Sequence, residues 1–124
     1  MLRGVCLTVA ALLLIAAPAV AAEACKEPPV PKMPNGRNAT RDDMMAAKNS
    51  VVAYVAGADA YQQCLNDEFA AITAQFEADK KPLDPKYNRD RESKINANQA
   101  KKVKLGDDYT AAAKAFNRAH PSGR

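Results

Sequence analysis

The stretch Asp79-Lys80-Lys81-Pro82-Leu83-Asp84-Pro85 decides the fold. Pro82 cannot continue a helix, the two lysines suit the negative end of one, and Asp84 before Pro85 sets a cap with proline at the first helical position. One helix must end and another begin within a few residues, which makes this a hairpin corner.

Upstream of the corner, Met44, Val51, Val55, Ala58, Leu65, Phe69, Ile72 and Phe76 recur at alternating spacings of three and four, or multiples of them. That pattern predicts a helix over about 41–79 with a coiled-coil-like seam. Lys48 and Gln62 share the seam and interrupt it, while Tyr54 and Tyr61 widen the apolar stripe on one side. Gly57 costs about 1 kcal/mol relative to alanine, or else lets another backbone approach closely. Thr40-Arg41-Asp42-Asp43 reads as a capping box that starts this helix, its carboxylates at the positive end of the dipole.

Downstream, Ile95, Leu105, Tyr109, Ala112 and Phe116 share one face of a second helix over about 85–119, with Arg91, Asn98 and Lys102 at the intervening seam positions. Asn88 to Lys104 offers little beyond Ile95 and Val103 to bury. The expectation is therefore weak packing there, or a break near Gly106-Asp107-Asp108. Residues 120–124 read as a disordered tail.

Ahead of the helices, prolines at 28, 29, 31 and 34 and the turn signal Pro34-Asn35-Gly36 mark residues 23–39 as an extended, polyproline-like arm. Residues 1–22 carry the marks of a secretory signal: Arg3, an apolar run through Ala17, and small residues at Val20-Ala21-Ala22. A membrane anchor fits less well, because the run is short and broken by Pro18. Lipid attachment at Cys25 fits poorly too, with Glu23 two residues before the cysteine. The expected location is the periplasm or the exterior.

Export settles the cysteine arithmetic. Cys6 leaves with the signal, and Cys25 and Cys64 remain in an oxidising space where a disulfide forms and persists. Cys64 lies about 35 Å along the first helix, and the extended arm spans up to about 46 Å. The bridge is reachable if the arm runs antiparallel along the helix, over part of the Tyr54 and Tyr61 face.

About 102 residues remain after cleavage of the 124-residue chain, enough for one small domain. With no Trp, four Tyr and three Phe, the interior is thin and rich in alanine, so helices and a covalent staple must support it. No internal repeat is visible.

Chemistry-bearing residues are scarce. The single histidine, His120, sits beside Pro121 at the end of the chain, which leaves no partner for a nucleophile. The adjacent pairs Asp42-Asp43, Asp67-Glu68 and Asp107-Asp108 point apart on a helix and read as caps or solvated faces. Met33, Met44 and Met45 could offer thioethers to Cu(I), but without supporting histidines core packing explains them better. No phosphate loop, zinc spacing or haem-attachment pattern occurs. No cofactor, metal or small-molecule substrate is expected.

Charge is the sharper signal. Residues 41–79 hold two basic and seven acidic groups, a net of about −5, whereas residues 80–105 hold nine basic and three acidic, about +6. The plain reading is pairing across the hairpin. The alternative is an anion-binding face on the second helix, drawn from Lys94, Lys101, Lys102 and Lys104.

Cys25, Pro28, Pro31, Pro34-Asn35-Gly36, Ala39-Thr40, Met44, Val51, Tyr54, Tyr61, Cys64-Leu65 and Phe116-Asn117 together resemble a group of small secreted proteins of Gram-negative bacteria. The resemblance implies export and a helical hairpin, and it brings no activity, ligand or catalytic residue.

The fold expected is all-α: a long antiparallel helical hairpin with a proline-rich arm and one disulfide. The function expected is non-enzymatic interaction or structure in the cell envelope. A face of Tyr54, Tyr61, Phe69 and Phe76 would dock a protein partner or a second copy. The competing class is the anion-binding module for lipid headgroups, polysaccharide or nucleic acid.

Overall fold

In a computed structural model, which describes residues 24–122, the chain is all-helical, with α1 over Arg41–Ala78 and α2 over Pro85–Ala119 and no strand among the described residues. The signal reading lies on residues outside those described.

Both helices start where their caps dictate. Thr40 and Asp43 form the full capping box: the Asp43 amide donates to Thr40 Oγ1 at 3.1 Å and the Thr40 amide donates to Asp43 Oδ2 at 2.8 Å. Asp84 accepts from the Lys86 amide at 2.9 Å with Pro85 at the first helical position. Between them α1 closes on a Schellman turn. The Lys81 amide donates to the Phe76 carbonyl, the Lys80 amide to the Glu77 carbonyl, and Lys80 takes a φ of 53°. A lysine holds the position that glycine usually fills, so the corner is set by Pro82 and the caps and not by conformational freedom.

The helices pair antiparallel: Met44 lies against Ala112, Asp59 against Lys102, Gln62 against Asn98, Asn66 against Arg91 and Phe76 against Tyr87. The break considered near Gly106 does not occur. α2 runs unbroken for 35 residues, because Leu105 beside the glycine is 1% exposed and anchors that turn in the core. At its end His120 is no loose tail but the cap: its amide donates to the Phe116 carbonyl at 2.9 Å and its ring stacks on Phe116 at 4.4 Å.

Cys25 and Cys64 are joined, their Cα atoms 5.7 Å apart. From that staple residues 24–35, which form no helix or strand, descend along the hairpin. Pro28 meets Gly57, and Met33 packs on the buried trio Tyr54, Ala58 and Leu105. The Pro34-Asn35-Gly36 turn then reaches α2. A Cβ at Gly36 would overlap the Ala112 carbonyl oxygen and come within 2.8 Å of the Phe116 nitrogen, so only glycine lets the turn sit on the helix backbone. The Asn35 side chain accepts from the Arg37 amide at 3.1 Å and holds that turn. A last cluster, Ala39, Met44 and Ala112 with Tyr109, Ala113 and Phe116, closes the open end of the hairpin.

Candidate functional site

The described part of the arm, residues 24–35, lies in the groove between the helices, and the groove continues past Cys25. At the staple the Cys25 amide donates to Glu68 Oε1 at 3.2 Å. Glu68 also lines an open cleft of about 130 Å³ that extends toward the corner, with Leu65, Phe69, Ile72 and Tyr87 as its apolar surface and Asp90, Arg91 and Lys94 beside them. Leu65, Phe69 and Ile72 keep the seam of α1 apolar, while Arg91 takes the facing seam position of α2, where the pattern would place an apolar residue.

Arg91 is fixed from several sides. Its Nη1 donates to Asn66 Oδ1 at 3.1 Å, its Nη2 to Asn88 Oδ1 at 2.7 Å, and its guanidinium lies 4.4 Å above the Phe69 ring. Its Nε is buried without an acceptor. Phe76 packs on Tyr87, with ring centres 5.6 Å apart, and closes the corner end.

One turn beyond the cleft, the arm's Glu27 enters a polar network. Asn98, fully buried on the seam, accepts from Gln62 Nε2 at 2.8 Å and donates to Glu27 Oε1 at 3.1 Å, while Lys101 Nζ donates to Glu27 Oε2 at 2.8 Å. The Lys101 hydrogen bond first, and the Asn98 bond second, hold the Glu27 carboxyl below its ordinary value. Burial pushes the Tyr61 phenol up, with the neighbouring Glu27 and Glu68 carboxylates adding to the effect.

The residues expected to form a docking face part company here. Phe69 lines the cleft and Phe76 stands at its end, both half-buried. Tyr54 corrects the expectation: it is 3% exposed, because the arm's Met33 and Leu105 of α2 enclose it. Tyr61 is half-buried beside Glu27. The lysines divide as well. Lys101 pairs with Glu27, Lys102 with Asp59 and Lys104 with Asp108, whereas Lys94 stands in the cleft.

Neither cleft nor network can be read from the sequence alone, because both depend on how the arm is placed against the two helices. The available signal was the heptad itself, which places Arg91 and Asn98 in line on the seam.

Cys25, Cys64 and Glu68 bring their ligand atoms within 4.8 Å of one another, but the sulfurs are bonded to each other and leave no thiolate for a metal. Among the described residues no helix is long and apolar enough to cross a membrane. No protein-family model, curated protein or solved structure matches this chain. What fold and site define is a class by shape: a helical hairpin strapped by a stapled arm, with part of its groove left open by the described residues.

Proposed function

We propose that this chain is an exported, non-enzymatic interaction protein of the cell envelope that docks a protein partner on the open half of its groove. The carrying observation is the cleft, where Phe69 and Ile72 remain partly exposed beside Arg91 and Lys94, over a buried Leu65, although the same groove is filled below Cys25. Apolar side chains left accessible beside fixed polar ones are the composition of a small docking site. Export is supported by the character of residues 1–22 and by the disulfide, which persists in an oxidising compartment. The anion-binding reading loses support, because three of its four lysines already face carboxylates.

A photo-reactive residue at Ile72 in the full chain, expressed in its native host, tests the proposal. The expected result is one discrete covalent adduct with a protein in the envelope fraction, and none from the same group at exposed Lys114. Sedimentation separates a second copy from a different partner. No adduct at Ile72, with the chain retained in the cytoplasm, would sink the reading.

A further inference from the structure

The cleft repeats, one heptad along, the place where the hairpin already holds a carboxylate. Glu27 is bound by Asn98 and Lys101 of α2. Seven residues earlier on the same helix stand Arg91 and Lys94, and both line the cleft. The other wall advances in step: Tyr61 beside Glu27 and Gln62 bonded to Asn98 become Glu68 and Phe69 at the cleft. A seven-residue step returns to nearly the same face of a helix, so the two sites present corresponding positions to whatever lies in the groove.

The cations at the two sites differ in what they already hold. Lys101 is paired with Glu27. Arg91 donates its two short hydrogen bonds to neutral asparagine oxygens, and among the described residues its one carboxylate within ion-pair range is Glu92 at 4.0 Å. Lys94 has no ion pair among the described residues. Arg91 at the position of Asn98 turns a neutral donor into a charged one, and a guanidinium stacked on an aromatic ring is oriented to receive a carboxylate. Glu68 and Asp90 line the same cleft and would repel a dense polyanion such as nucleic acid or an anionic bilayer, while leaving room for a single negative group.

We propose that the cleft docks an extended peptide segment of a partner protein bearing one acidic side chain, its carboxylate held by Arg91 and Lys94 and its apolar neighbours lying on Phe69 and Ile72. This rests on the docking reading above and names the partner's chemistry. One heptad rises about 10.5 Å, which three or four residues of extended chain cover, so the recognised segment is short.

Panning a phage-displayed library of random 12-residue peptides against the full chain, then measuring selected peptides by fluorescence anisotropy, tests it. Selected peptides should carry an aspartate or glutamate beside valine, leucine, isoleucine or proline. Their affinity should fall about tenfold or more in Lys94→Glu and stay unchanged in Lys114→Glu. Lys94 is exposed, so its substitution leaves the fold intact where an Arg91 variant would also break the Asn66 and Asn88 bonds. Enrichment of basic peptides, no enrichment, or binding indifferent to Lys94→Glu would overturn the proposal. Binding that appears only in Glu23→Lys would give the site to the chain's own acidic residue and overturn it too. If the Ile72 adduct forms equally in Lys94→Glu, the docking reading stands and the carboxylate assignment fails.

Discussion

The two halves of the hairpin share the same helices and the same heptad, yet only one has an interior. Where the arm lies in the groove, Ala39, Met44, Ala47, Tyr54, Ala58, Leu65, Asn98, Leu105 and Ala112 are buried. From residue 66 through residue 97 no residue is buried. Two helices with an alanine-rich seam cover each other along one line only, and a third element must seal the side of the groove before side chains leave solvent. The arm is that element, and among the described residues the core stops where the arm meets the staple.

The largest effect should follow from freeing the arm. The bridge closes a separation of 39 residues, worth about 3–4 kcal/mol in chain entropy. Denaturant unfolding of Cys25→Ser/Cys64→Ser should show that loss, and amide exchange should quicken around Tyr54 and Leu105 while residues 66–94 change little. Uniform acceleration along both helices would break the contrast between the halves.

Gly36→Ala attacks the other end of the strap. Its Cβ would strike the α2 backbone, which unlike a flexible side chain cannot yield, and a loss of about 3 kcal/mol is expected. Gly106→Ala sharpens the comparison because it has nothing within 4 Å and lies inside a helix, so thermal unfolding should show a gain of about 1 kcal/mol. Similar effects from the two alanines would mean that the Gly36 turn is not seated on α2.

Much of this was legible in local chemistry. The corner, both caps, the seam and the Cys25 to Cys64 bridge follow from residues within a turn or two of each other, or from compartment and reach. The burial of Tyr54, the pairing of Lys101 with Glu27 and the seat of Gly36 were not, because each needs the arm and both helices placed together. The polar run Asn88 to Lys104 shows the difference well. Its poverty in apolar residues was plain, and of the two outcomes it suggested, weak packing or a break near Gly106, the break does not occur because Leu105 finds Tyr54 and Ala58 across the groove.

Asn98 stands at the boundary between the halves and joins all three elements. Asn98→Ala should cost about 2 kcal/mol in equilibrium unfolding, since it opens a void and takes one hydrogen-bond partner each from the Gln62 amide and Glu27 Oε1. Asn98→Leu should recover the packing part of that loss but not the grip on the arm. Protease cutting near Glu27 would then rise while helix content holds, and unchanged cutting would show that the staple alone fixes the arm.

The smallest effect is the pH dependence of that grip. Glu27 has its carboxyl held below the ordinary 4.5, first by the Lys101 hydrogen bond and then by Asn98, so its contribution is present above that value and lost as pH falls through the lowered one. Stability measured from pH 5 downward should therefore decline more steeply in the native chain than in Glu27→Gln. Asp43 is also held low, by the Thr40 backbone amide and then its hydroxyl, and its protonation adds to the decline in acid. It lies in the α1 cap and persists in both proteins, so the difference between their slopes isolates Glu27. Parallel slopes would mean that the arm is held by Pro28, Met33 and the staple, and that the carboxylate site repeated in the cleft contributes nothing measurable where it is already filled.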